Sequence, residues 1–265
     1  MILDGIELLS LQVIDNKILQ AQIIDRNYID VAQMLGRTVR ILDKTAPLQV
    51  KIFKINLIDY QSGLQITEIE IVRRAVKENE LFFGGPEKLW ESVNFYNPAT
   101  TKNPDLVSLE KKILWSFYPD IEIMLFDPHS PINGSIGWEA KYSYRLKNSM
   151  TINSSIKQPI ITGLDNIKRG PKEGLPNVRS DYMYYYRDIG TKPYLANLTI
   201  DQYFKPFKTI YSQLNLGYLE MMYAGVRSET VWKDTNKPYG LGLDLAIVKK
   251  RNTYGDFSLI DSNYT

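Results

Sequence analysis

The chain has 265 residues and is nearly neutral, with 32 Lys and Arg against 30 Asp and Glu, which is enough length for one large or two ordinary domains. A balance this even, with no basic stripe or Arg-rich arm, excludes nucleic acid as an expected partner. The absence of cysteine removes disulfides and thiol chemistry, and no run approaches the roughly 18 apolar residues of a spanning helix.

Ile6 to Val13 and Lys17 to Ile24 are rich in Ile, Leu and Val and read as two strands, with Asp15-Asn16 suited to a tight hairpin turn between them. Asn27 is placed to cap a helix. Tyr28, Ala32, Leu35, Val39 and Leu42 then recur at spacings of four and three, a single helical stripe whose simplest use is core packing. Pro47 ends that region. Val50 to Asp59 and Leu64 to Arg73 are two more β-prone segments, separated by Gln61-Ser62-Gly63. The resulting order, ββαββ, predicts a helix layered on an antiparallel sheet. Residues 76 to 112 read as a connecting region. Gly84-Gly85-Pro86 breaks the chain, a short helix fits Glu87 to Val93, and NPATTKNPD is loop chemistry.

Of the 18 tyrosines only Tyr28, Tyr60 and Tyr96 precede Tyr118. Tyrosine and tryptophan concentrate where an amphipathic ring straddles an apolar–aqueous border, as in the girdles of membrane barrels. The chain is therefore divided near residue 115, into an α+β part with its connecting region (1–112) and a β part (113–265).

In the second part Ile121, Ile123 and Leu125 alternate with Glu122 and Met124 before Asp127-Pro128 turns the chain. Gly134 to Lys147, GSIGWEAKYSYRLK, then alternates without a miss. Ile136, Trp138, Ala140, Tyr142, Tyr144 and Leu146 fall on one face, and Gly137, Glu139, Lys141, Ser143 and Arg145 on the other. Met150 to Lys157 repeats the pattern in short form. Residues 163 to 181 are too polar and too rich in Gly and Pro for a strand and read as a long loop, while Tyr182 to Arg187 reads as a strand. Ala196-Leu198-Ile200, Ile210-Leu214-Leu216-Tyr218 and Tyr239-Leu241-Leu243-Leu245-Ile247 supply further apolar faces, the last opposed by Gly240, Gly242 and Asp244. Glycines on that inner face would relieve crowding.

A period of two with aromatic residues on the apolar side suits a strand between lipid and an aqueous lumen. Glu139, Lys141, Arg145, Asn215 and Asp244 are then the expected lumen-facing polar residues. The same alternation also fits a soluble sheet with one solvated face, whose charges form cross-strand pairs. The fold class expected is mainly β with an N-terminal α+β part, the β part being antiparallel transmembrane barrel strands of an incomplete barrel.

No G-x-S-x-G elbow, Walker A loop, H-E-x-x-H or dinucleotide fingerprint is present. The lone histidine, His129, sits in the turn-like DPHSPING and reads as a surface residue. Acid pairs such as Glu220 with Glu229, or Asp120 with Glu122, have the residue types of a glycosidase but nothing in their spacing selects them. No catalytic, cofactor-binding or metal-ligating residue is assigned, no cofactor is expected, and the chain is expected not to be an enzyme.

Three runs carry a family resemblance: D-x-Y-F-K-P at Asp201 to Pro206, GYLEMMYAGV at Gly217 to Val226, and GLGLDLAIVKKRN at Gly240 to Asn252. Leu125-Phe126-Asp127-Pro128, Leu175 to Asp181, and the Gly36-Arg37 helix leading into the Leu64 to Arg73 strand fit the same pattern. Together they resemble the YjbH-like family of outer-membrane proteins, associated with exopolysaccharide and group 4 capsule secretion in Gram-negative bacteria. The resemblance implies an outer-membrane barrel with periplasmic α/β elements, in contact with membrane lipid, other polysaccharide-secretion proteins and the polysaccharide. It carries no catalytic residues. Family members are longer and start with an export signal, whereas MILDGIELLSLQV has no basic n-region or cleavage site. The chain is thus expected to correspond to an internal portion of an exported precursor. Two alternatives stay open: a periplasmic scaffold that docks secretion partners with the barrel as anchor, and a soluble carbohydrate-binding or carbohydrate-cleaving β-protein.

Overall fold

The computed structural model describes every residue except 1, 4, 26, 27, 29, 80–84, 99–112, 126–130, 148, 169–178 and 261–265. Its first sheet starts with β1 (Ile2–Leu3), β2 (Ile6–Ile14) and β3 (Ile18–Asp25). Asp15 and Asn16 join β2 to β3 with φ of 50° and 55°, the left-handed pair that lets a two-residue turn follow the twist of its strands. Helix α1 (Val31–Thr45) is capped by Asp30, whose carboxylate accepts the Ala32 N–H at 2.9 Å. Asn27, the expected cap, lies outside the described residues. Leu35, Val39 and Leu42 of the expected stripe are buried, joined by Met34 and Thr38, whereas Ala32 in the first turn is exposed.

The chain continues through β4 (Ile52–Ile58), β5 (Gln65–Val72), α2 (Arg73–Asn79), α3 (Gly85–Glu91) and β6 (Val93–Tyr96), and the strands lie side by side in the order β1 to β6. The expectation of a purely antiparallel sheet fails at one seam. β3 and β4 are parallel, because α1 carries the chain back to the end from which β3 started, as a helical crossover must. Val93, expected at the end of a helix, instead opens β6. The core lies between this sheet and α1, where Leu19, Ala21 and Ile23 of β3, Phe53, Ile55 and Leu57 of β4, and Ile69 and Ile71 of β5 are buried. Arg73 ties the layers together: its guanidinium reaches the Asp43 carboxylate at 2.6 Å and the carbonyls of Asp43 and Pro47 at 2.8 and 2.6 Å.

The second sheet is a meander of seven strands, each antiparallel to the next: β7 (Ile113–Leu125), β8 (Ile132–Lys147), β9 (Met150–Thr162), β10 (Tyr194–Phe207), β11 (Ile210–Tyr218), β12 (Tyr223–Lys233) and β13 (Gly240–Lys250). β7 is an edge, which accommodates Pro119 without a lost ladder bond at the sheet's centre. β12 escaped the sequence reading because Ser228 and Thr230 interrupt its apolar side. Tyr182 to Arg187 is corrected from strand to helix: α4 runs Tyr182–Ile189 and stops at Gly190, whose φ is 54°. Its tyrosines favour strands by propensity, but the helix buries two separate sides, Tyr185 with Ile189, four residues apart, in one cluster and Met183 with Leu164 and Ile167 in another. Of the segment read as a long loop, Leu164–Asn166 forms a single 3-10 turn, and 169–178 lie outside the described residues.

Among the described residues the meander is open, with β7 and β13 as its edges. An odd number of alternating strands leaves those two edges running the same way, so they do not seal by the antiparallel pairing that joins the rest. No described helix is long and apolar enough to cross a membrane, which says nothing of strands.

Candidate functional site

The second sheet is inside out relative to a water-soluble one. Along β7, Trp115, Phe117, Ile121 and Ile123 share a face with Tyr142 and Ile136 of β8, and that face is the exposed one, Trp115 at 77%. At the opposite edge Leu241, Leu243, Leu245 and Ile247 continue it, with Ile247 at 84%. The polar face is the covered one. Glu139 keeps only 5% of its surface, Ser155 1%, and Thr151, Asp201 and Asn215 are buried beside them. In water this arrangement runs against the hydrophobic effect on both faces.

Register places all five expected polar residues on the polar face, where Glu139 and Asn215 are buried, Arg145 is partly covered, and Lys141 and Asp244 stay about half exposed. Arg145, Thr151, Asp201, Asn215 and Arg227 form one row across five strands. Glu139 lies opposite Lys157, and Asp244 opposite Glu229. Their local partners differ. The Glu139 carboxylate accepts from the Tyr118 hydroxyl at 2.6 Å and the Ser155 hydroxyl at 2.5 Å, with the Lys141 ammonium 3.6 Å away. Asn215 donates to Asp201 at 2.6 Å, and Asn153 donates to the other oxygen of the same carboxylate at 2.6 Å. Asp244 takes a two-pronged pair from Arg227.

Lys157 spans from β9 to β7, reaching Glu122 at 2.8 Å and Asp120 at 3.0 Å. Asp120 lies opposite Gly137 of β8, where a Cβ would fall 2.2 Å from the Gln158 carbonyl oxygen of β9. The sequence reading missed Asp201, Lys157 and Tyr118. Each sits at the right parity on a neighbouring strand, but which parity faces the ladder is decided by register between strands. The acid pairs considered for hydrolysis are engaged with cations: Asp120 and Glu122 share Lys157, Glu220 lies 2.8 Å from Arg179, and Glu229 lies 3.6 Å from Arg227.

The α/β unit stands at the end of the meander where the connections β8–β9, β10–β11 and β12–β13 are short. Arg145 donates to the Tyr60 carbonyl at 2.5 Å, Lys205 to Gln65 at 3.2 Å, and the Tyr211 hydroxyl to Ile66 at 2.8 Å. Asn97, just past β6, bonds Asp234 at 2.9 Å and the Thr235 N–H at 2.8 Å. A cavity of about 640 Å³ lies in this junction, between Leu57, Leu64 and Phe95 on one side and Tyr203, Tyr211 and Val231 on the other. The other end of the sheet carries the long β9–β10 connection with α4.

The sequence matches the YjbH family, described as exopolysaccharide biosynthesis protein YbjH, over residues 4–265. The chain belongs to this family. No curated protein and no solved structure matches it. The match spans both sheets, the α/β unit and the meander alike, and the family's description ties the chain to exopolysaccharide biosynthesis.

One consequence of the junction is a dependence on acid. The Asn97 amide, and after it the Asn236 N–H, hold the Asp234 carboxyl below the usual carboxylate range. A depressed value means that the contact contributes fully above the ordinary carboxylate pKa and is lost as pH falls through the lower, folded value. The distance between spin labels on Lys77 and Asn236 should therefore stay constant from neutrality down to about pH 4 and broaden below it. In Asp234→Asn the broadening should no longer depend on pH in that range, and an unchanged acid response in that variant would remove Asp234 as its cause.

Proposed function

We propose that the second sheet is part of the wall of an outer-membrane β-barrel that serves exopolysaccharide or capsule secretion without catalysing a reaction. The observation that carries this reading is the inverted sheet: an exposed apolar face and a covered polar one. A bilayer is the solvent that makes such a face favourable, since apolar side chains there cost nothing and every backbone group is satisfied by neighbouring strands. Glu139, Lys141, Arg145, Asn215 and Asp244 then line the interior, and β7 and β13 pair with further strands of the complete wall. The two-residue β8–β9 and β10–β11 connections at one end, against the long β9–β10 connection at the other, support a periplasmic position for the first. In this reading the α/β unit meets other secretion proteins in the periplasm and α4 lies towards the outside.

Fractionation of the full-length product tests the reading. It should sediment with the outer membrane, resist carbonate extraction, and migrate faster on a gel when unheated than when boiled. Recovery in the soluble fraction, or release by carbonate, would overturn it in favour of a soluble β-protein.

A further inference from the structure

The helix inside the β9–β10 connection has two sides with different partners. Tyr185 and Ile189, four residues apart, form the anchoring side: Tyr185 is fully buried and its hydroxyl donates to the Arg251 carbonyl at 2.7 Å. Tyr182 and Tyr186, also four apart, are only partly covered and meet edge to face with ring centroids 6.3 Å apart. They border a cavity of about 500 Å³ that the polar face of the sheet closes from the other side, with Tyr194, Glu122, Lys157 and Asn197. Burial, and then the neighbouring Glu122 carboxylate, push the Tyr186 phenol up to about 12, so it remains a neutral hydroxyl. A second cavity of about 460 Å³, bordered by Ser116, Lys141, Asn153 and Ser155, shares Asn197 with the first.

We propose that the cavity under α4 is a binding subsite for an uncharged glycosyl unit of a polysaccharide. The inference rests on the secretion reading above and adds the ligand class and the place. Pyranose rings present an apolar C–H face and an equatorial rim of hydroxyls. Tyrosine faces suit the first, since the electron-rich ring attracts polarised C–H bonds, and carboxylate, ammonium, phenol and amide groups around them suit the second. Charge decides between neutral and anionic sugars. The cations at the cavity are engaged with carboxylates, Lys157 with Glu122 and Asp120 and Arg179 with Glu220 at 2.8 Å, so an anionic sugar finds none uncompensated and would have to break an ion pair to enter. The cavity's volume is in the range of small-molecule sites and leaves room for a short oligosaccharide.

The test uses the full-length protein folded in detergent micelles and four neutral probes, cellotriose, laminaritriose, maltotriose and chitotriose, with trigalacturonate as the anionic probe, measured by saturation-transfer NMR and calorimetry. At least one neutral trisaccharide should bind with an affinity that changes little with salt, and trigalacturonate should bind at least tenfold more weakly. Tyr186→Ala should weaken the neutral probe at least tenfold. Tyr186→Phe, which keeps the ring, should weaken it less, and Tyr185→Phe, which loses only the anchoring hydroxyl bond, should leave it unchanged. Binding of none of the neutral probes, preference for trigalacturonate, or equal binding by Tyr186→Ala would each overturn the proposal. Failure here with the protein still in the outer membrane removes the subsite and leaves the secretion reading standing. Loss of membrane residence removes that reading instead.

Discussion

Leu216→Arg is expected to deplete the heat-modifiable, membrane-resident form of the protein. Leu216 lies on β11, the middle of the ladder's second half, with Ile200 and Val226 directly opposite on the same exposed face. It is 53% exposed, so in water an arginine there would be well solvated and close to neutral for stability. Facing lipid, the same charge costs up to about 2–4 kcal/mol, less the nearer it lies to an interface, which is a large fraction of the stability of an ordinary domain. Leu48→Arg supplies the comparison. Leu48 is 91% exposed in the α1–β4 connection of the α/β unit, and a charge there should change stability by no more than about 0.5 kcal/mol. The readout is gel migration of unheated membrane fractions from the two variants. If Leu216→Arg folds, inserts and becomes more soluble in aqueous buffer, the exposed face is not a lipid face.

Gly217→Ala should disrupt the meander at its centre. Gly217 pairs with Thr199 on one side and Gly225 on the other, and its φ is 135°, where a side chain is strained. A Cβ built there falls 2.3 Å from the Leu198 carbonyl oxygen and 3.2 Å from the Thr199 Cα, both backbone atoms of the adjacent strand. Neither can move without opening the β10–β11 ladder. Strain and overpacking each cost about 1–3 kcal/mol in comparable cases, so the variant should unfold at markedly lower denaturant or fail to assemble. Gly242→Ala should be nearly silent, because its added Cβ would meet only the Val231 side chain at 3.8 Å. Of the repeated glycines of Gly240 to Lys250 that the sequence suggested as relieving crowding, Gly242 thus has room to spare, whereas a Cβ at Gly240 would come to 3.0 Å from the Trp232 carbonyl oxygen. Gly242 lies on an edge strand with open space above it; Gly217 is hemmed in by backbone.

These two glycines show what kind of information a single strand withholds. Alternation in GSIGWEAKYSYRLK identifies a two-faced strand because side-chain direction flips at every residue, a property of the backbone alone. The stripe Leu35, Val39 and Leu42 identifies the buried side of α1 for the same reason at a different period. The hairpin at Asp15-Asn16 was legible because two adjacent positive φ values demand particular residue types. Tyr182 to Ile189 was not legible. Its four tyrosines satisfy a strand and a helix almost equally, and contacts with Arg251, Leu164 and Ile167, far away or across loops in sequence, select the helix.

The sequence alone determined that the second half of this protein is built of strands with one apolar and one polar face, and that Glu139, Lys141, Arg145, Asn215 and Asp244 share the polar side of their respective strands. It also carried the family. Only the tertiary structure decided which face is covered, that Asp201 joins Asn153 to Asn215, that Lys157 bridges from β9 to Asp120 and Glu122 of β7, and that α4 lays two tyrosines against the polar face. Period and propensity are local, fixed by bonds within a few residues. Burial and partnership depend on register between strands, which is set by the summed packing of the whole ladder and its turns.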